Sequence, residues 1–75
     1  MKFRKRQIVV DAEQFHAGVE PWPRGVEVGI NGPSVTTIQR VQVLLRDGDW
    51  VIAESDGEHF YPCDPGIFEA TYEAV

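Results

Sequence analysis

Cys63 and His59 are the residues of this chain that most invite a chemical reading. They lie in "GEHFYPCDPGIFEATYE", residues 57–73, which holds the only Cys, one of the two His and half of the aromatic residues. A Cys–His pair can make a thiolate nucleophile if the side chains come within about 3 Å. On an extended strand, four positions separate these two by about 13 Å. A bulge cannot remove that distance, so the spacing excludes a dyad. Reactivity would also need an electropositive setting, and the surroundings are acidic. Cys63 is therefore expected to be a buried structural thiol. A metal site would draw on His16, His59, Cys63 and a carboxylate such as Asp56, but no CxxC or HxxxH spacing is present. No metal, cofactor or catalytic residue is expected.

Two carboxylate pairs, Asp47/Asp49 and Glu54/Asp56, could serve hydrolysis. They fall in turn sequences, "RDGD" and "ESDGE", where Asp is favoured because its carboxylate bonds nearby backbone N–H groups. Solvent-facing turn acids are expected. Walker, Rossmann and nucleophile-elbow patterns are absent from the sequence. Binding remains. Two Trp, two Tyr and four Phe are a heavy aromatic load for 75 residues. Aromatic rings beside Arg can hold a planar anion by stacking and bidentate contacts. The candidate ligand-binding residues are Trp22, Arg24, Arg46, Trp50 and Tyr61. Outward aromatics also suit an oligomer interface, and the two uses are compatible.

Charge narrows the partners. The net charge of −5 argues against direct nucleic-acid binding, which needs a basic face. The distribution is lopsided. Lys2, Arg4, Lys5 and Arg6 supply four of the seven basic residues, whereas Asp47 to Val75 holds eight acids and no Lys or Arg. The expectation is that the basic start lies beside the acidic end, where opposite charges attract across strands. The longest early apolar run, Ile8–Val10, is too short for a signal peptide. No run is long enough for a membrane helix. An intracellular, reducing setting is expected. A chain this short buries only about 60–65% of its unfolded surface. With a single Cys and few metal ligands, self-association is the expected extra support, so a homo-oligomer is expected.

The elements that must carry these residues read as short strands in one domain, residues 1–75. Gln7–Phe15 is β-rich, with Ile8, Val10 and Ala12 on the face expected to meet the core. Pro21 and Pro23 bracket Trp22 in a loop ordered by that indole. "VEVGI" alternates, and "NGPS" signals a hairpin. Val35–Leu45 is the longest β-rich run, with a bend or bulge at Gln39–Arg40. "WVIAES" and "EHFYP" flank a hairpin at Asp56–Gly57. Asp64 followed by Pro65 reads as an N-cap with Pro at the first helical position. One or two helical turns follow, and "TYEAV" returns to strand character. The expected fold is mainly β: a small, strongly bent antiparallel sheet or a partly open, SH3-like barrel of about six short strands. One short helical turn precedes the last strand.

The two ends of the chain also resemble a family. "KFRKRQIVVDAEQF" and "GDWVIAESDGEHFYPCDPGIFEATYEAV" are similar to a widespread group of small phage and prophage proteins. Its members carry "K-P-V-V-x-E-A-x-Q-F" and, after a "G-D-W-I-I" stretch, "Y-P-C-K-P-D-I-F-E-x-T-Y-E". The middle, Ala17–Leu45, shows no such likeness. Asp64 stands where the group usually has Lys, and Gly66 where it usually has Asp. The hairpin "DGEHFYP" is longer than usual, which suggests a bulge near Phe60. The resemblance implies a phage-encoded accessory protein acting in the host cytoplasm, in immune evasion or in virion assembly. The concrete expectation is a non-enzymatic domain that sequesters a small nucleotide-type signal. The alternatives are an interaction module that blocks a host protein or serves assembly, and a small enzyme that degrades a nucleotide signal.

Overall fold

A computed structural model of the chain describes residues 1–3 and 8–74. Six strands form two three-stranded antiparallel sheets, followed by one short helix. In the first sheet β5 (Trp50–Ala53) lies between β1 (Ala12–Gln14) and β6 (Phe60–Cys63). In the second, β3 (Gly32–Thr36) lies between β2 (Glu27–Gly29) and β4 (Gln42–Leu44). The sheets meet where β3 packs on β6. The mainly-β expectation holds in its bent-sheet form, and the strands close no barrel among the described residues.

The core sits between the sheets. Phe15, Val35, Val51 and Phe60 are buried together, and Trp22, Val26, Leu45 and Ala53 pack around them. Burying each large apolar side chain contributes about 1.5–3 kcal/mol, so this handful of residues carries much of the stability. The first strand corrects the sequence reading. It begins at Ala12 rather than Gln7, and Gln7 lies outside the described residues. Ile8, expected in the core, is 76% exposed, while Val10 and Ala12 are half-buried. The real anchor is Phe15, just past the strand, whose N–H donates to the Asp49 carbonyl at 2.7 Å. The physical reason is pairing. The first strand ladders only on β5, and β5 turns away after Ala53, so the Ile8–Val10 segment overhangs the sheet.

The hairpins form, but the first turn sits at Ile30–Asn31, with Gly32, Pro33 and Ser34 of the expected turn already in β3. Glycines at positive φ serve three of the turns: Gly32 (116°) closes β2 onto β3, Gly48 (91°) leads into β5, and Gly57 (69°) shapes the β5–β6 loop. The long run Val35–Leu45 splits at the expected bend. Arg40 takes φ 65°, and its N–H donates to the Thr37 carbonyl at 2.8 Å. Thr37 in turn donates its N–H to the Val41 carbonyl at 2.9 Å, which sets β3 against β4. No bulge forms near Phe60. The ladder runs regularly from Trp50 opposite Cys63 to Ala53 opposite Phe60, so the additional length goes into the loop. Gly25 is a case of close approach. A Cβ there would stand 2.2 Å from the Phe60 ring, at a φ of 96°.

The helix α1, Pro65–Thr71, starts as expected. The Asp64 carboxylate accepts from the Gly66 and Ile67 N–H groups, and Pro65 occupies the first turn. Its end corrects the reading. Tyr72 is extended, but Tyr72–Ala74 join no strand, and Val75 lies outside the described residues. Both neighbouring strand edges of β5 are already taken by β1 and β6. Instead the helix lays its aromatic side on the sheet. The Phe68 ring stacks on Trp50 with centroids 4.1 Å apart, and Tyr72 stacks on Phe68 at 4.9 Å. This covers the second face of β5, where Ile52 is fully buried.

Candidate functional site

Alternation along the first sheet decides where the candidate residues go. Val51 turns to the core, so Trp50 and Ile52 turn to the helix side; Tyr61, opposite Ile52, goes with them. Trp22 reaches the other side, edge-on to Phe15 with centroids 5.4 Å apart. The two Trp residues are thus held by separate packing contacts, and the indole N–H of each is buried without an acceptor among the described residues. Neither offers a free stacking surface on the ring face used for packing.

Arg24 and Tyr61 do come together. They line one open cleft of about 530 Å³, with Ile8, Val9, Glu54 and Ser55 among its walls. Arg24 is placed by two contacts. Its guanidinium donates to the Gly57 carbonyl at 3.4 Å and lies 5.4 Å from the centroid of the Phe60 ring. The Tyr61 phenol is pushed up to about 12, first by burial and then by the neighbouring Tyr72 hydroxyl. Its neutral hydroxyl is therefore the form present at neutral pH. Asp11 and Glu54 also line the cleft, so its charge is mixed rather than anion-seeking. Trp50 lines a second, more apolar cleft of about 270 Å³ with Val9, Phe68, Tyr72 and Glu73. Arg46 lies in the β4–β5 turn, where its N–H donates to the Asp49 carboxylate at 2.8 Å. The structure thus brings Arg24 and Tyr61 into one cleft, puts Trp50 in another, and leaves Trp22 half-buried against the core and Arg46 in a turn.

Asp49 and Asp56 bond backbone N–H groups within their own turns, as the turn chemistry implies, whereas Asp47 and Glu54 reach across the fold. Asp47 accepts from the Ala17 N–H at 2.8 Å, and Glu54 accepts from the Ile38 N–H. Asp56 accepts from the N–H groups of Glu58 and His59, both at 2.9 Å. Asp49 departs from expectation by being buried rather than solvent-facing. His59 Nδ1 meets the Asp56 carboxylate, which holds that carboxyl down at about 2, the His59 bond being the largest cause and the backbone N–H groups the next. His59 therefore points to Asp56 within the loop. Cys63 is half-buried rather than buried, and burial, then the Asp64 charge, pushes its thiol up.

Sequence reasoning missed the exposed apolar side chains. Val28 and Ile30 are 73% and 101% exposed at the β2–β3 hairpin, and Val41 and Leu44 are exposed near β4. Their alternation with polar residues looked like ordinary strand patterning; only the placement of the sheet shows that the hairpin end reaches past the core. The start and end of the chain do approach each other, since Ile8–Val10 and Tyr72–Ala74 line one cleft. The basic residues Arg4, Lys5 and Arg6 lie outside the described residues. Among the described residues no helix is long and apolar enough to cross a membrane. Neither a family model, nor a curated protein, nor a solved structure matches the chain.

Proposed function

We propose that this chain is a non-catalytic binding domain that acts on a protein partner. Combined with the phage-like motifs at its ends, the role is that of an accessory protein that blocks a host protein or serves in assembly. The observation that carries the reading is the β2–β3 hairpin. Val28 and Ile30 stand clear of the core with Ile30 fully exposed at the tip. Large apolar side chains projected from a two-stranded tip suit insertion into a partner's apolar pocket, and exposed apolar surface of this kind marks interaction sites. The net charge of −5 fits a pocket with a basic rim.

The test is a photo-crosslinking amino acid at position 31, introduced into the protein in its host cell. An adduct of one defined mass that disappears with Ile30→Asp, while the far-ultraviolet spectrum of the variant is unchanged, supports the reading. An adduct that persists in Ile30→Asp, or no adduct, overturns it.

A second reading, sequestration of a small nucleotide-type ligand in the host cytoplasm, is favoured by one observation. Arg24 and Tyr61 share a cleft whose volume, about 530 Å³, lies in the range of small-molecule sites. Its test is incubation with a panel of nucleotide second messengers, removal of free ligand and heat denaturation. Intact messenger released by heat supports sequestration, altered messenger supports an enzyme, and no retained messenger removes both.

A further inference from the structure

Strand β1 ends the first sheet, and its inner side is fully used. The Asp11 carbonyl accepts from the Ala53 N–H at 2.9 Å, and the Phe15 N–H and carbonyl bond to Asp49 and Gly48. Between them Glu13 pairs with Val51. The backbone groups of Glu13 therefore turn toward β5, and those of Ala12 and Gln14 turn outward. Among the described residues, those outward N–H and carbonyl groups have no backbone partner. An uncovered edge of this kind is a template for another strand. A cleft of about 300 Å³ lies beside it, on the face that Glu13 shares with Val51. Asp11 and Glu13 line this cleft together with the apolar Val51, Ala53 and Phe60. Arg24 lines it too, but its guanidinium is engaged by the Gly57 carbonyl and the Phe60 ring. Among the described residues, neither Asp11 nor Glu13 forms an ion pair.

The occupant is indicated by charge. We infer that an extended, basic segment of a partner protein adds to β1 as an antiparallel strand, with a Lys or Arg across from Glu13. In that addition Ala12 and Gln14 form the hydrogen-bonded pairs, and Glu13 falls in the closer, non-hydrogen-bonded pair between them. The side chain across from Glu13 lies on the face of the cleft. A Lys or Arg there lays its methylenes against the apolar lining and brings its charge to the two carboxylates. A second copy of this chain is disfavoured. Pairing all of β1 with its own copy about a two-fold axis sets Glu13 across from Glu13, and like charges directly opposite repel. The inference does not rest on the hairpin reading, which uses the other sheet.

The test is nuclear magnetic resonance of the labelled full chain, titrated with the capped peptide Thr-Val-Lys-Val-Thr and with its counterpart bearing Glu at the centre. The Lys peptide is expected to shift the Ala12 and Gln14 amides and to slow their hydrogen exchange. The Glu13 amide, already turned to β5, should change little. The Lys peptide should bind about tenfold tighter than the Glu peptide, and Glu13→Lys should reverse that order. Circular dichroism checks the fold of the variant, and the comparison of the two peptides on the unaltered chain does not depend on it. Equal affinity for the two peptides, binding that leaves Ala12 and Gln14 unmoved, or no binding up to about 5 mM overturns the proposal. So does protection of those two amides in the free chain, or a shift in them that grows with protein concentration alone, since either shows the edge to be covered already.

Discussion

The two sheets are built from strands of similar length, and each buries both faces of its central strand, yet only the first carries a helix over its second face. In the first sheet, β5 sends Val51 into the core and Ile52 against the helix side, and both are buried. In the second sheet, Val35 and Ser34, on opposite faces of β3, are both fully buried, while Leu44, the partner of Ser34 on the edge strand β4, is exposed. The difference comes from α1. A seven-residue helix would not be stable alone, but Phe68 and Tyr72 stacked over Trp50 hold it to the sheet. Among the described elements no helix lies over the second sheet; on the Ser34 face the Gln42 amide, a side chain of the sheet itself, donates to the Ser34 hydroxyl at 2.9 Å. Stability is therefore concentrated at β5 and its two layers, and the second sheet is left free to present surface.

Substitutions can break this comparison. The largest effect is expected from Phe15→Ala, which removes a core ring that is 1% exposed and should cost about 3–5 kcal/mol. Leu44→Ala in the second sheet should change stability by less than about 0.5 kcal/mol. Urea denaturation of the two variants measures both; equal losses would erase the distinction between the sheets. Next comes the helix. Asp64→Ala removes the acceptor for the Gly66 and Ile67 N–H groups and should cost about 1 kcal/mol. Trp50 fluorescence should then report a loosened Phe68 stack before global unfolding. A Trp50 signal unchanged up to the main transition would show that the cap does not hold the cover in place.

The smallest effect is sharpest in pH. The Asp56 carboxyl is held at about 2 against an ordinary 3.8. A lowered folded-state value means that the ionised carboxylate stabilises the fold above about pH 4, and that this contribution is lost as pH falls from about 4 to about 2. Asp56→Asn keeps an oxygen for the Glu58 and His59 N–H groups but cannot titrate. It should flatten the stability profile in that window and leave the first sheet's protection against hydrogen exchange unchanged. An identical acid profile in the variant would show that other carboxylates set the acid response.

Local chemistry was legible where it is decided by neighbours in the chain. The turn at Asp56–Gly57 and the Asp64–Pro65 helix start follow from backbone preferences that operate over a few residues; the bend at Arg40, a non-glycine at φ 65°, was signalled only by two polar residues interrupting a β-rich run. Asp56 follows the same logic, whereas Asp47 and Glu54 bond backbone far along the chain; the exclusion of a Cys63–His59 dyad rests on strand spacing alone. The candidate ligand site was read less well. Its five residues were chosen by type, and type does not say which face of β5 or which loop a side chain occupies. Arg24 and Tyr61 meet because the β5–β6 hairpin brings Gly57 under the guanidinium, a contact across 33 positions. Trp22 and Trp50 part because alternation and loop placement send them to opposite faces of one sheet.

The amino-acid sequence by itself determined the mainly-β class, the positions of the turns, the helix start and the segregation of charge between the two ends. Each depends on local conformational preference or on composition. Tertiary structure alone decided that Phe15 rather than Ile8 anchors the first strand, that the final segment covers a sheet instead of joining one, and that Val28 and Ile30 stand in solvent. Those outcomes depend on which strand edges are already paired and which faces are already covered. Only the folded arrangement of all six strands sets them.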